Sequence, residues 1–177
     1  MTLTTDFEIT VVDYPAKHLA GFHTQTTIPA ISYDCLPLWQ KFYSETQKLP
    51  GWKRKKTYGL FVKTNQYVSL DFWTASEITA GISVPEGMDV FELLAGKFVR
   101  CLIPMASDIL MAYHTVYSTW IQSQINYDID MNSACFELYP PKWTPNDALD
   151  LYVPLKTKEP VTRLNTELLN AELNTGR

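Results

Sequence analysis

The residues with the most chemistry in this chain sit in one short apolar stretch. Residues 134–139 read Ala, Cys, Phe, Glu, Leu, Tyr, and strand alternation puts Cys135, Glu137 and Tyr139 on one face with Ala134, Phe136 and Leu138 on the other. A carboxylate in such a strand faces water, is paired with a cation of the chain, or awaits a cationic ligand. Aromatic residues in other segments can wall it in. A cation over an aromatic face gains about 0.5–2 kcal/mol, and a carboxylate at the base of the same hollow adds Coulomb attraction that a low dielectric strengthens. Flat rings suit planar, lipophilic cations. The candidate ligand-binding set is Glu137, Tyr139, Trp120, Tyr117, Trp39, Tyr58 and Trp73. The same rings also suit a core: Tyr113, Tyr117 and Trp120 recur at helical spacing.

No catalytic signature accompanies this set. The seven glycines are isolated, so no phosphate-cradling loop is expected, and neither a Gly-x-Ser-x-Gly elbow nor a His-Glu-x-x-His pair occurs. Cys35, Cys101 and Cys135 are odd in number and lack metal-ligand spacing, and His18, His23 and His114 are scattered. No metal and no cofactor are expected. Asp128 and Asp130 read as a loop between helix and strand, without the oxygen ligands and central glycine of a calcium loop.

Composition narrows the partners. Hydrophobic residues are 46% of the 177, aromatics 13% and charged residues 19%, and the formal net charge is -4. This suits a folded domain and argues against binding nucleic acid by charge. The one basic run, Lys53 to Lys56, reads as a solvated loop or as a phosphate patch. With no signal-like opening and no membrane-length apolar run, a cytoplasmic protein with no membrane partner is expected.

The elements that must position Glu137 fall into two passes. In the first, residues 7–12 and 18–26 are strand-like around a turn at Tyr14 and Pro15. Asp34 is the candidate cap of a helix with Pro37 in its first turn, and that helix stops at Leu49, Pro50 and Gly51. Strands at 57–63 and 67–79 follow. In the second pass, strands at 89–94 and 96–103 precede a helix capped by Ser107 that runs to about Gln124, then the Glu137 strand and a last strand at 149–155. The repeated order predicts an α+β fold built from a duplicated β-α-β-β unit, with two helices on one face of antiparallel sheets and a ligand groove on the other. One domain over residues 1–156 is expected, with pseudo-repeats at about 6–82 and 88–156. Residues 157–177 form a polar C-terminal extension, read either as a docking helix for a protein partner or as a poorly ordered tail.

A set of short motifs in this order resembles the GyrI-like, or AraC-type, effector-binding domain family, including its stand-alone integron-associated members. The residues are Tyr14-Pro15-Ala16 through Leu19-Ala20-Gly21, Leu38-Trp39 with Phe42, Tyr58-Gly59-Leu60, and Trp73 through Ile78. They continue with Pro85 to Met88, Ala95 to Phe98, Val116-Tyr117 with Trp120, Phe136-Glu137 with Tyr139, and Leu151 to Leu155. Trp73 and Ser76 stand where the family pattern has Tyr and Gly. The resemblance covers about residues 6–156 and implies the duplicated β-α-β-β fold. It also implies a central pocket in which Glu137, with Trp120 and Tyr139 beside it, favours a small cationic, aromatic ligand. It further implies a free-standing sensor or binder related to transcription-regulator ligand domains, with no direct contact to nucleic acid. Two alternatives come with it: a hydrolase of cyclopropane-bearing compounds with Glu137 as the base, and a protein-interaction inhibitor of gyrase type.

Overall fold

The computed structural model describes residues 6–65, 68–81 and 83–159. Among them is one nine-stranded antiparallel sheet carrying two helical segments. The first unit is β1 (Glu8–Tyr14), β2 (Lys17–Thr27), α1 (Ile31–Thr46), β3 (Thr57–Lys63) and β4 (Ser69–Glu77). The second is β5 (Asp89–Leu93), β6 (Gly96–Ile103), α2 (Ile109–His114), β7 (Tyr127–Ile129), β8 (Cys135–Tyr139) and β9 (Leu149–Thr157). The strand order is β1-β6-β9-β8-β3-β4-β2-β5, with β7 pairing with β9. The two halves are mirrored about the β3–β8 pair, as a duplicated β-α-β-β unit requires. Each half also lends its first strand to the other: β1 pairs with β6, and β5 pairs with β2.

The sheet is curled. Only Leu94 and Ala95 join β5, at one end of the strand order, to β6, one place from the other end. In a flat sheet these strands stand about 29 Å apart, at about 4.8 Å per neighbour. Three Cα–Cα steps reach at most about 11 Å. Curling closes the face away from the helices on itself. There Tyr14, Phe98, Phe136 and Tyr152 pack ring against ring at 4.8–6.4 Å between centroids, with Leu19, Tyr58, Leu60 and Trp73 in the same cluster. This corrects the expected position of the groove. The face opposite the helices carries a packed core with a smaller cavity of about 270 Å³ beside Phe91, Leu93 and Phe98, and a roomier cavity lies on the helix-bearing face.

On that face α1 covers β2 and β4 through Leu38 and Phe42 against Ala20, Phe22 and Phe72. The second helical segment covers β6, β8 and β9 through Ala112 and Val116 against Val99, Cys101, Leu151 and Val153. Trp39 touches both clusters.

The helix starts differ from the sequence expectation. Pro29 sits in a 3-10 turn, Ile28–Ala30, that leads directly into α1, so Asp34 falls inside the first turn and not at the cap. Its carboxylate accepts a hydrogen bond of 2.8 Å from the Thr26 hydroxyl. Pro37 is then interior to α1. It is tolerated because it lies on the solvent side, next to exposed Leu36, where water can reach the carbonyl it leaves unbonded. Ser107 lies in a 3-10 turn, Ala106–Asp108, ahead of α2 and makes no capping bond. After six residues α2 widens into a π-helical stretch, Thr115–Trp120, and closes with a 3-10 turn, Ile121–Ser123.

The stretch read as a loop around Asp128 is a strand, β7, which pairs Ile129 with Leu155. The last strand runs through Pro154 to Thr157. Pro154 is harmless there because it stands where the neighbour of β9 changes from β8 to β7. Its carbonyl still accepts from the Asp130 N–H at 2.8 Å. The C-terminal extension from residue 160 onward lies outside the described residues. Among the described residues no helix is long and apolar enough to cross a membrane.

Candidate functional site

Glu137 lies at the middle of β8, paired with Gly59 on β3 and Leu151 on β9. Its side chain is 7% exposed. Alternation sends it to the helix-bearing face beside Cys135 and Tyr139, as the sequence pattern requires. Gly59 makes the space for it. A Cβ on Gly59 would stand 3.0 Å from Cζ2 of Trp39 and 3.6 Å from Glu137 Oε2. The carboxylate and the indole thus share the volume over the glycine.

Two hydroxyls hold the carboxylate. Tyr113 donates to Oε1 at 3.0 Å, and Tyr139 donates to Oε2. Among the described residues no Lys, Arg or His forms an ion pair with it. Burial therefore dominates and raises the Glu137 pKa, against the lowering effect of the Tyr139 and Tyr113 hydrogen bonds. The surrounding groups feel the same burial and the same negative charge. The Cys135 thiol is pushed up to about 12 by burial. The Tyr113 hydroxyl is raised well above its usual range by burial, with Cys135 and Glu137 adding to it.

Beside this carboxylate is a cavity of about 560 Å³ between α1 and α2. Ile28, Ile31 and Ser32 form one wall and Ile109, Leu110, Tyr113 and Tyr117 the other. The floor is Phe61, Cys135 and Glu137, and the far end is closed by Ile129 to Met131, Ser133 and Pro154. Tyr113 and Tyr117 are stacked, with centroids 6.2 Å apart. Two other charged residues line the space. Lys63 stands at the exposed end of β3. Asp130 is engaged by its own loop, accepting from the Ser133 hydroxyl at 2.5 Å and the Asn132 N–H at 3.0 Å. The volume and the apolar lining match an ordinary small-molecule site.

The seven residues singled out from the sequence divide into three groups. Glu137 and Tyr117 line the cavity. Tyr139, Trp39 and Trp120 pack behind it on the same face: Trp39 meets Tyr139 edge-on at 5.2 Å, and Trp120 lies against the α2 core cluster. Tyr58 and Trp73 are on the opposite face, which corrects their expected place in the pocket wall. Both belong to the strand positions that alternate away from Gly59 and Phe61. Tyr58 bonds Tyr14 at 2.9 Å between hydroxyls, and Trp73 stacks on His23 at 4.2 Å and donates to Asp71 at 2.8 Å. Tyr113 was absent from the set, although its spacing of four from Tyr117 places both on one side of a helix. Phe61, an aromatic of the first half's strands that the sequence also offers for this site, lies on the cavity floor.

Fold and site together define a small-molecule binding module of the effector-binding class. The chain belongs to the integron-associated effector-binding protein family, Cass2, whose sequence model matches residues 10–155. No curated protein matches the sequence. An integron cassette protein from the mobile metagenome of Vibrio cholerae has the same fold, with a TM-score of 0.66 at 18% identity over 85% of this chain and 97% of that one. So does SAV2435 bound to tetraphenylphosphonium, with a TM-score of 0.66 at 17% identity over 84% and 94%. The C-terminal domain of EcmrR, also solved within an EcmrR–DNA complex, aligns with a TM-score of 0.60 at 10% identity over 87% of this chain and all of that domain.

Proposed function

We propose that the cavity binds small, hydrophobic, aromatic cations as effectors, with Glu137 as the counter-charge. The observation that carries this reading is a carboxylate 7% exposed, with no cation among the described residues paired to it, on the floor of a cavity walled by Phe61, Tyr113, Tyr117 and aliphatic side chains. A buried negative charge without a partner is costly. A ligand that brings the missing positive charge recovers that cost as affinity. Bulky cations without N–H groups suit the site, because the apolar walls offer few acceptors for donors. That SAV2435 was solved with tetraphenylphosphonium bound supports the choice of this cation as a probe.

The test is a titration followed by tryptophan fluorescence, since Trp39 lies against the Glu137 carboxylate over Gly59. Tetraphenylphosphonium is compared with uncharged triphenylphosphine oxide. Glu137→Gln is expected to lower the affinity for the cation about tenfold or more, as for loss of a partly desolvated ion pair, and to leave the neutral compound within about twofold. Equal losses for both compounds would remove the charge from the mechanism.

A further inference from the structure

We propose that the empty cavity holds Glu137 in its neutral, protonated form and that an entering cation drives the proton into solvent, so that effector binding is coupled to pH. This rests on the reading of the cavity as a cation site and adds to it a regulation of the same site. In the step, the carboxyl O–H bond breaks, its electron pair stays on the carboxylate, and the proton leaves to water. The positive charge of the ligand replaces the one that departs.

The geometry suits both protonation states. Tyr113 and Tyr139 each place a hydroxyl on a different oxygen of Glu137. A phenol hydroxyl donates or accepts. With the ionised carboxylate both hydroxyls donate. With the neutral acid one of them turns to accept the carboxyl proton, and no heavy atom has to move. Among the described residues no ion pair reaches Glu137.

The hydroxyls and thiols that face Glu137 keep their protons across the range of interest. From the second helical segment, Tyr113 and Tyr117 are held protonated by burial. On its own strand, burial pushes Cys135 up to about 12 and raises Tyr139 as well. From α1, burial pushes Cys35 up to about 12, with Glu137 and Asp34 adding to the effect, and burial raises Tyr43. Asp34 is tied to the Thr26 hydroxyl. At the far end Asp130 is held ionised, below the usual carboxylate range, by the Ser133 hydroxyl. Lys63 lines the cavity mouth, and among the described residues no histidine lines the cavity. Glu137 is thus the carboxyl group in the site that burial makes hold its proton more tightly than a free carboxylic acid does.

The experiment uses tetraphenylphosphonium, which has no ionisable proton, so that any proton released comes from the protein. Calorimetric titrations of the wild-type protein are run from pH 5 to pH 8, each in two buffers of different ionisation enthalpy. The expected result is proton release that approaches one per ligand at the acid end and fades toward pH 8. The apparent affinity should fall about tenfold per pH unit below the point where Glu137 loses its proton. Difference infrared spectra, which need no variant, should show a protonated carboxyl band that disappears when the cation binds at the acid end. Glu137→Gln should abolish both signals. Binding with flat affinity and no buffer-dependent heat from pH 5 to pH 8 overturns the proton coupling and leaves the cation site standing. Absence of binding at every pH overturns both.

Discussion

Gly59 and Glu137 face each other across the β3–β8 pair, at the seam between the two halves of the chain. The same offset along the sequence relates Gly59 to Glu137 and Trp39 to Tyr117. At equivalent places in the two halves, one strand carries the carboxylate and the other carries nothing. The site is made asymmetric by a missing side chain as much as by a charged one.

Gly59→Ala tests that relationship. The new Cβ would press on Trp39 at 3.0 Å, and overpacking of this kind costs about 1–3 kcal/mol. A lower urea midpoint and a loss of cation affinity are expected together, because Trp39 and the carboxylate shift together. An alanine variant with unchanged midpoint and unchanged affinity would show that the glycine does not set the space.

Tyr113→Phe removes the donor to Glu137 Oε1 and keeps the ring that lines the wall. A hydrogen bond to a charged group is worth about 1.5–3 kcal/mol. The affinity for tetraphenylphosphonium should fall by roughly tenfold or more, while that for triphenylphosphine oxide stays near the wild-type value. Because that hydrogen bond lowers the Glu137 pKa, its loss should also move the pH dependence of cation binding to higher pH.

The stability of the ligand-free protein should carry the signature of the same carboxylate. The pKa of Glu137 is higher in the folded than in the unfolded chain because of burial. Between those two values the folded state binds more protons, so stability falls as pH rises. The contribution is intact below the unfolded carboxylate range and is lost once pH passes the folded value. Glu137→Gln is isosteric and has no charge to bury. It should therefore be more stable than wild type at pH 7.5, with the gap closing toward pH 4.5. Thermal unfolding of both proteins at the two pH values reads this directly, and a gap that widens on acidification would contradict it.

Tyr58→Phe and Phe136→Ala probe the face of the sheet away from the cavity. Tyr58→Phe loses the bond to Tyr14 and should cost about 1 kcal/mol. Phe136, fully buried among rings, should cost about 3–5 kcal/mol on truncation to alanine. Tyr58→Phe should leave tetraphenylphosphonium affinity unchanged. A clear loss there would return Tyr58 to the ligand's surroundings.

The strand with Glu137 was legible because it alternates cleanly and its charge stands out from apolar neighbours. The two-pass order of helix and strands was legible for the same reason of periodicity. Which face stays open was not, since it depends on the curl that packs Tyr14 against Phe136 and Tyr152, and the residues in that contact are remote in sequence. The misplacement of Tyr58 and Trp73 follows from it: aromatic type suggested a wall, whereas parity relative to Gly59 decides the side. The strand at Tyr127–Ile129 is three residues long and is defined by its partner β9 rather than by any pattern of its own. The widened turn at Thr115–Trp120 likewise leaves the spacing of its apolar residues nearly helical, so sequence periodicity passes over it.

The exchange of first strands between the halves has a consequence for how such a molecule is assembled. A polypeptide ending after β4 would expose the partner edge meant for β5 and carry a β1 with nothing to lie against. Such a fragment can satisfy both only by clasping a second copy of itself. The intact chain is in this sense a tethered pair whose covalent link freed one partner to lose its side chain at Gly59 while the other kept a charge.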